Sequence, residues 1–256
     1  MRILVVNSNT TKSMTEAIRE SAQRYASPGT EIVATEANFG PESIEGFFEG
    51  YLSVIGVLDR LQSIEFSFDA LVMAGFGEPG REGAQELLDV PVFDIAECAA
   101  HVACLLGRSY SVVTTLDRAV PGIEDRLRLA GLYDRCASVR ATGLAVLEVE
   151  QDEQLTVGRI VEEALAAIEK DRAEVICLGC GGMAGLDERV AAAVGVPVVD
   201  GVAAAVKLAE AVVGLGLRTS KIRSYAPPRP KHISHWPISR PGSAQTAEDG
   251  EGKSQS

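Results

Sequence analysis

Short apolar runs rich in β-branched residues alternate along the chain with longer stretches in which apolar residues recur at helical spacing. The short runs predict eight strands, at residues 3–6, 31–35, 70–74, 92–95, 110–114, 139–146, 174–178 and 196–199. The longer stretches predict helices at residues 13–25, 48–61, 96–106, 122–130, 154–169, 187–194 and 201–215. Continuous apolar strands interleaved with helices are typical of parallel sheets covered on both faces. The pattern therefore predicts an α/β fold.

An internal repeat divides this pattern into two halves. Three pairs of segments resemble each other at nearly the same offset: 4–7 with 111–114 (107 residues apart), 69–75 with 174–180 (105) and 90–94 with 196–200 (106). Any two strand–helix units look alike, but three pairs in register favour two homologous lobes, each with its own small parallel sheet. We expect residues 1–100 plus 205–222 to form lobe one and residues 101–204 to form lobe two. Residues 223–256 are polar and rich in Pro, Ser and Gly, and we expect a disordered tail.

Composition and charge exclude several classes of function. The 256 residues carry a formal net charge of −12 without a cluster of Lys or Arg, which argues against nucleic acid or an anionic membrane as a partner. The chain contains 3 histidines, two of them in the tail, so a multi-histidine metal site or a Ser-His-Asp triad would depend on His101. No apolar stretch approaches the ~18 residues of a membrane span. We expect a cytoplasmic protein with reduced thiols, a small-molecule substrate and neither metal nor cofactor.

Candidate site residues lie where the strands end, because ligands of parallel α/β sheets bind beyond the carboxyl ends of the strands. These residues are Asn7, Gly75, Thr114 and Cys180, and two facing lobes would bring them to one cleft. Cys180 precedes two glycines and a helical stretch, so we expect backbone N–H groups of Gly181 and Gly182 to point at a ligand. Such surroundings would lower the thiol pKa from ~8.5 towards neutrality. The other four cysteines (98, 104, 136 and 177) fit packing roles.

Other motifs have simpler interpretations. Cys177 and Cys180 form a CxxC, but no second pair completes a zinc site, and we expect Cys177 to be buried while Cys180 emerges at the strand end. Residues 75–80 fit GxGxxG, yet the motif follows the third strand and only a short helix comes after it, so a dinucleotide site is disfavoured.

Several polar residues near the strand ends have two interpretations. Thr10 or Thr11 either contributes to the cleft or caps the following helix. The carboxylates available as a general base are Glu78, Asp94 and Asp200, of which the two aspartates also suit helix caps.

Several strings together resemble the aspartate/glutamate racemase superfamily, specifically its hydantoin and allantoin racemase branch. They are VNSNTT (6–11), GPESIEG (40–46), FGEPG (76–80), SVVTT (111–115), LGCGGM (178–183) and VPVVDGVAAAVKLA (196–209). The resemblance spans roughly residues 1–220 and implies two pseudo-symmetric lobes with the active site in the cleft between them. It also implies cofactor-independent chemistry in a homo-oligomer, in which one cysteine as thiolate removes the α-proton and another as thiol protonates the opposite face.

Carried over to this chain, the resemblance makes Cys180 the catalytic residue. The substrate-binding residues that it implies are Asn7, Asn9, Ser43, Ile44, Gly75, Phe76, Thr114, Thr115, Gly181 and Gly182. The last four would hold the enolate oxygen through backbone N–H groups and hydroxyls.

Gly75 stands where racemases of this branch carry their first cysteine, and the internal repeat independently aligns it with Cys180. Three interpretations stay open. The chain is a racemase of hydantoin-like substrates in which another base or water acts on the Gly75 face. Alternatively, it is a malonate decarboxylase, since arylmalonate decarboxylases also pair one cysteine with a glycine. The third interpretation is a binding relative without activity.

Overall fold

The computed structural model describes residues 1–77 and 80–231. Its strands are β1 (Arg2–Asn7), β2 (Glu31–Glu36), β3 (Ala70–Met73), β4 (Val92–Asp94), β5 (Tyr110–Thr114), β6 (Cys136–Ala141), β7 (Val175–Leu178) and β8 (Val198–Asp200). They form two four-stranded parallel sheets with equivalent strand orders, β2-β1-β3-β4 and β6-β5-β7-β8. The α/β class and the two pseudo-symmetric lobes inferred from the repeat are confirmed.

Eight α-helices connect and cover the strands. They are α1 (Lys12–Tyr25), α2 (Phe47–Gln62), α3 (Arg81–Leu87), α4 (Ile95–Leu106), α5 (Val120–Leu129), α6 (Glu153–Asp171), α7 (Asp187–Val194) and α8 (Gly201–Gly214). None of the helices in the described part of the chain is long and apolar enough to cross a membrane.

The last helix of each sheet packs against the other sheet. Helix α4 follows β4 yet packs against β7, and α8 follows β8 yet packs against β3 and β4. The two helices also pack against each other, so a single apolar core continues from Ile3 and Val72 of one lobe to Val112 and Val175 of the other. The two sheets are therefore held together by a shared core.

Equivalent aspartates begin these two helices. Asp94 accepts a hydrogen bond from the N–H of Glu97 at 2.6 Å, and Asp200 accepts one from Val202 at 2.7 Å. Asp94 also accepts hydrogen bonds from Arg81 of its own lobe and from Arg126 of lobe two, at 2.6 and 3.3 Å. The interpretation of both aspartates as helix caps is confirmed.

Two local predictions are wrong. The sixth strand ends at Ala141 instead of continuing to residue 146, because Gly143 adopts a φ of 79°, in the left-handed region that no strand continues through. Thr11 occupies the N-cap position of α1, but its hydroxyl donates to the carbonyl of Glu42 at 2.7 Å instead of capping the helix.

The predicted domain division and the tail stay predictions. Arg223–Tyr225, the first residues of the predicted tail, form a 3-10 turn that packs against α3. Residues 232–256, and the candidate base Glu78, lie outside the described residues.

Candidate active site between the two sheets

A pocket of 60 Å³, which we call the reaction pocket, lies where strand ends from the two lobes meet. Its walls are Asn7, Ser8, Asn9, Met14, Ile44, Ala74, Gly75, Phe76, Thr115, Val146, Gly179, Cys180 and Gly181. Eight of the candidate catalytic and substrate-binding residues predicted from the sequence are among them, whereas Ser43, Thr114 and Gly182 are not. Gly75, which follows β3, and Cys180, which follows β7, thus line the same pocket, as the aligned repeat predicts.

Asparagine amides shape the wall that follows β1. The side-chain nitrogen of Asn7 donates to Asn9 Oδ1 at 2.8 Å and to Thr15 Oγ1 at 3.1 Å, which fixes the turn after the strand. Within the described part of the chain, Asn9 Nδ2 donates only to the sulfur of Met14, at 3.2 Å. Because a thioether is a weak acceptor, Asn9 Nδ2 is the better placed of the two amides to donate to a substrate oxygen.

The turn after β1 also fixes the loop that precedes α2. Thr10 N–H donates to the carbonyl of Pro41 at 3.1 Å, and the Thr11 hydroxyl donates to the carbonyl of Glu42 at 2.7 Å. These bonds place Ile44 in the pocket wall. Ser43 lies in the same loop but outside the pocket.

The two threonines after β5 have different roles. Thr114 is buried, and its hydroxyl donates to the carbonyl of Gly179 at 2.9 Å, so it positions the strand end that carries Cys180. Thr115 lines the pocket, and its hydroxyl makes no hydrogen bond to the described residues. Of the predicted pair, Thr115 is therefore the residue available to a substrate oxygen.

The environment of Cys180 contradicts the expected lowering of its pKa. Burial raises the pKa of the thiol to about 11, and the carboxylates of Glu150 and Glu45 act in the same direction. The N–H groups of Gly182 and Met183 oppose this shift of the pKa, although the Met183 N–H donates to the carbonyl oxygen of Cys180 at 3.1 Å. The Gly182 amide thus acts on the thiol of Cys180, and Gly182 does not line the reaction pocket. At pH 7 the thiol form dominates, with about one molecule in 10⁴ as thiolate.

Gly181 allows the two lobes to approach closely beside the pocket. A β-carbon at this position would lie 2.5 Å from the carbonyl oxygen of Ala74 and 3.4 Å from Ile18 Cδ1. Because Ala74 precedes Gly75 and Gly181 follows Cys180, this contact sets the separation between the two halves of the site.

The remaining cysteines lie away from the pocket. Cys177 is completely buried on β7. This burial is expected, because strand residues three positions apart point to opposite faces and Cys180 lines the pocket. Burial raises the pKa of Cys177 and also that of Cys136, the latter to about 12, so both thiols stay protonated. No three His, Cys, Asp or Glu side chains in the described ranges cluster so that they could hold a metal ion.

Four residues important to the site were missed at the level of the sequence. Met14 and Val146 line the pocket, and Glu45 and Glu150 influence the thiol. Glu45 lies inside the string of residues 40–46 that resembles the family, so this string could have pointed to it. Met14, Val146 and Glu150 come from segments without a distinctive motif.

Known proteins resemble this chain over most of its length. The hydantoin racemase of Pseudomonas sp. (strain NS671) is 40% identical over 232 residues, which cover 90% of this chain and 93% of that protein. The crystal structure of allantoin racemase from Pseudomonas fluorescens has a TM-score of 0.90 and 64% identity, covering 91% of this chain and 99% of that one. A crystal structure of arylmalonate decarboxylase shares the fold, with a TM-score of 0.56 and 18% identity over 85% of this chain and 94% of that one.

The sequence model of the Asp/Glu/Hydantoin racemase family matches residues 3–209, which include both sheets apart from Arg2 and all residues that line the reaction pocket. The match confirms the resemblance that the strings around Asn7, Gly75 and Cys180 indicate. With both lobes, their strand orders and the Cys180 loop in place, the chain belongs to the Asp/Glu/Hydantoin racemase family.

Proposed function

We propose that this chain is a cofactor-independent racemase that inverts the α-carbon of hydantoin-like substrates, 5-substituted hydantoins or allantoin, through Cys180. The observation that carries the proposal is one partly buried cysteine in the wall of a small pocket between the lobes. The relatives named hydantoin racemase and allantoin racemase support the reaction class and the substrate class.

Proton transfer at the α-carbon follows from this arrangement. The thiolate of Cys180 accepts the α-proton, and the electron pair left on carbon moves into the adjacent carbonyl, which becomes an enolate. Asn9 Nδ2 and the Thr115 hydroxyl are the donors available to the enolate oxygen. Protonation of the opposite face of the carbon inverts it, and return of the proton from Cys180 restores the starting enantiomer.

Water supplies the proton on the Gly75 face in this proposal. The described walls on that side, from Asn7 to Phe76, carry no carboxylate, imidazole or thiol. Because the α-proton of a hydantoin is relatively acidic, a weak base is adequate there. The thiolate is scarce at neutral pH, so the rate must rise with pH until the thiol ionises, near a pKa of about 11.

The second candidate function is decarboxylation of a substituted malonate. A thiol with a pKa of about 11 is a proton donor at neutral pH, and Gly75 leaves the opposite face without a cysteine. In this reaction loss of CO₂ forms the enolate, and Cys180 protonates one face. The thiol form is then the active one, so activity stays constant at neutral pH and falls above pH 11.

One enantiomer of a 5-substituted hydantoin or allantoin, incubated in D₂O, tests the proposal. Racemisation predicts loss of optical rotation together with deuterium at the α-carbon. Cys180→Ala should abolish both, whereas Cys104→Ala, on α4 away from the pocket, serves as the matched cysteine control and should retain them. Unchanged rotation across a panel of such substrates contradicts the proposal, and release of CO₂ from an arylmalonate supports the second candidate.

We further propose a homo-oligomer in the cytoplasm. Phe48 and Leu52 are 69% and 46% exposed on α2, which favours burial against another copy of the chain. None of the five cysteines forms a disulfide, which suits a reducing compartment. Light scattering of the purified protein tests the assembly, and a monomer at working concentration contradicts it.

A further inference from the structure

A second cavity, of 330 Å³, adjoins the reaction pocket and is more than large enough for a bulky group. We call it the side chamber; its walls include Ile44, Phe47, Gly50, Tyr51, Val54 and Arg118. Ile44 lines both cavities, and Gly77 of the side chamber directly follows Phe76 of the reaction pocket. A group attached to a carbon in the reaction pocket therefore has a neighbouring space to extend into.

The side chamber is apolar along α2 and has room at its glycines. Phe47, Tyr51 and Val54 present apolar surface, one helical turn apart from each other. A β-carbon at Gly50 would contact only Ile44, at 4.0 Å, and one at Gly77 would contact nothing within 4 Å. The body of a ligand in the side chamber would thus be apolar.

A guanidinium group of lobe two lies at the wall of this chamber. Arg118 makes no hydrogen bond or ion pair with the described residues, although it lies against the backbone of Gly46. A β-carbon at Gly46 would be 2.7 Å from Arg118 Nη2, so only glycine leaves the guanidinium in this place. Because a guanidinium pairs best with a carboxylate, an Arg118 that has no acidic partner among residues 1–77 and 80–231 suits an anionic end of a ligand.

Glu45 also lines the side chamber. Its carboxylate accepts a hydrogen bond from the N–H of Val146 at 3.1 Å, and Val146 lines the reaction pocket. Glu45 forms no ion pair with Arg118. The carboxylate of Glu45 is therefore held on the side of the reaction pocket, and Arg118 has no acidic partner in the part of the chain that the structure describes.

We propose that the side chamber binds the substituent on the α-carbon and selects one with an apolar body and a terminal carboxylate, which pairs with Arg118. The assignment of the substituent rests on the proposed function, since that places the α-carbon in the reaction pocket. Arg118 is then a specificity-determining residue, and Gly46 is a positioning residue that acts through it.

Binding constants of three hydantoins test the proposal: 5-(4-carboxybenzyl)hydantoin, 5-(4-methylbenzyl)hydantoin and 5-methylhydantoin, measured by calorimetry. Wild type should bind the carboxybenzyl compound about tenfold more tightly than the methylbenzyl compound, and Arg118→Met should remove this preference. Gly46→Ala should weaken it, because the new methyl group displaces the end of the flexible Arg118 side chain. Gly50→Leu should raise the Kd of both benzyl compounds about tenfold relative to that of 5-methylhydantoin by filling the chamber.

Equal Kd values of the two benzyl compounds in wild type, or a preference that survives both Arg118→Met and Gly46→Ala, overturn the proposal. The two substitutions are independent, so the test stands if one variant fails to fold. All readouts are binding constants and do not depend on turnover. The proposed function fails separately, if 5-methylhydantoin binds but its α-proton does not exchange in D₂O.

Discussion

Gly181→Ala tests whether the close approach of the lobes sets the geometry of the site. The new β-carbon would lie 2.5 Å from the carbonyl oxygen of Ala74, whereas a carbon–oxygen contact requires about 3.3 Å. The two backbone segments must therefore separate by about 0.8 Å. Because both segments continue directly into the reaction pocket, Gly75 and Cys180 move apart by a similar distance.

Both stability and activity should respond to this change. Overpacking of this kind costs about 1–3 kcal/mol, and each kcal/mol lowers the Tm of a domain of this size by about 2–4 °C. A displacement of about 1 Å in an active site reduces the rate about 10²-fold. Urea unfolding and polarimetry measure the two effects.

Gly182→Ala is the matched control for stability. Its β-carbon would meet Met14 Cε at 3.5 Å and Cys180 Sγ at 3.7 Å, which are ordinary contacts. Its free energy of unfolding should stay within about 0.5 kcal/mol of wild type. If Gly181→Ala is as stable as Gly182→Ala, the close approach does not constrain the lobes and the reasoning is refuted.

Three further changes have defined outcomes. Gly75→Cys should increase racemisation at least tenfold by supplying a second thiol, measured by polarimetry, and an unchanged rate would show that position 75 does not face the reacting carbon. Arg126→Met should lower the free energy of unfolding by about 1–3 kcal/mol, because it removes one of the two arginines that pair with buried Asp94; a loss below about 0.5 kcal/mol in urea would contradict this. Glu210→Gln should cost about 1–3 kcal/mol at pH 7, since the carboxylate accepts three hydrogen bonds of 2.7 Å from residues 27–30. Burial raises the pKa of Glu210, but these bonds and the ammonium of Lys207, 2.9 Å away, outweigh burial and hold the pKa at about 2. Wild type should therefore lose this stabilisation as the pH falls from about 4.5 to 2, whereas the variant should show no such loss.

The sequence was sufficient for those features of the fold and site that depend on local patterns. Buried β-branched runs predict all eight strands, and the internal repeat by itself aligns Gly75 with Cys180. The sixth strand was misplaced because its apolar run continues past Gly143, whose left-handed conformation ends the strand.

Features that depend on contacts between distant segments could not be predicted in this way. The pKa of Cys180 rises through burial and through carboxylates that are 30 and 135 residues away along the chain. Thr114 was interpreted as a substrate ligand, but its hydroxyl bonds to Gly179 of a neighbouring strand end. The side chamber depends on Arg118 lying over Gly46 of the other lobe, and nothing in either local sequence indicates that contact.

The pH dependence of kcat/KM for racemisation tests the central claim, that Cys180 is the acid–base group at the α-carbon. The measurement uses one enantiomer of a hydantoin between pH 7 and 11, with the rate of Cys180→Ala subtracted at each pH. With a thiol pKa of about 11, kcat/KM should rise about tenfold per pH unit and level off near pH 11. A plateau below pH 9, or a residual rate in Cys180→Ala equal to that of wild type, would contradict the assignment.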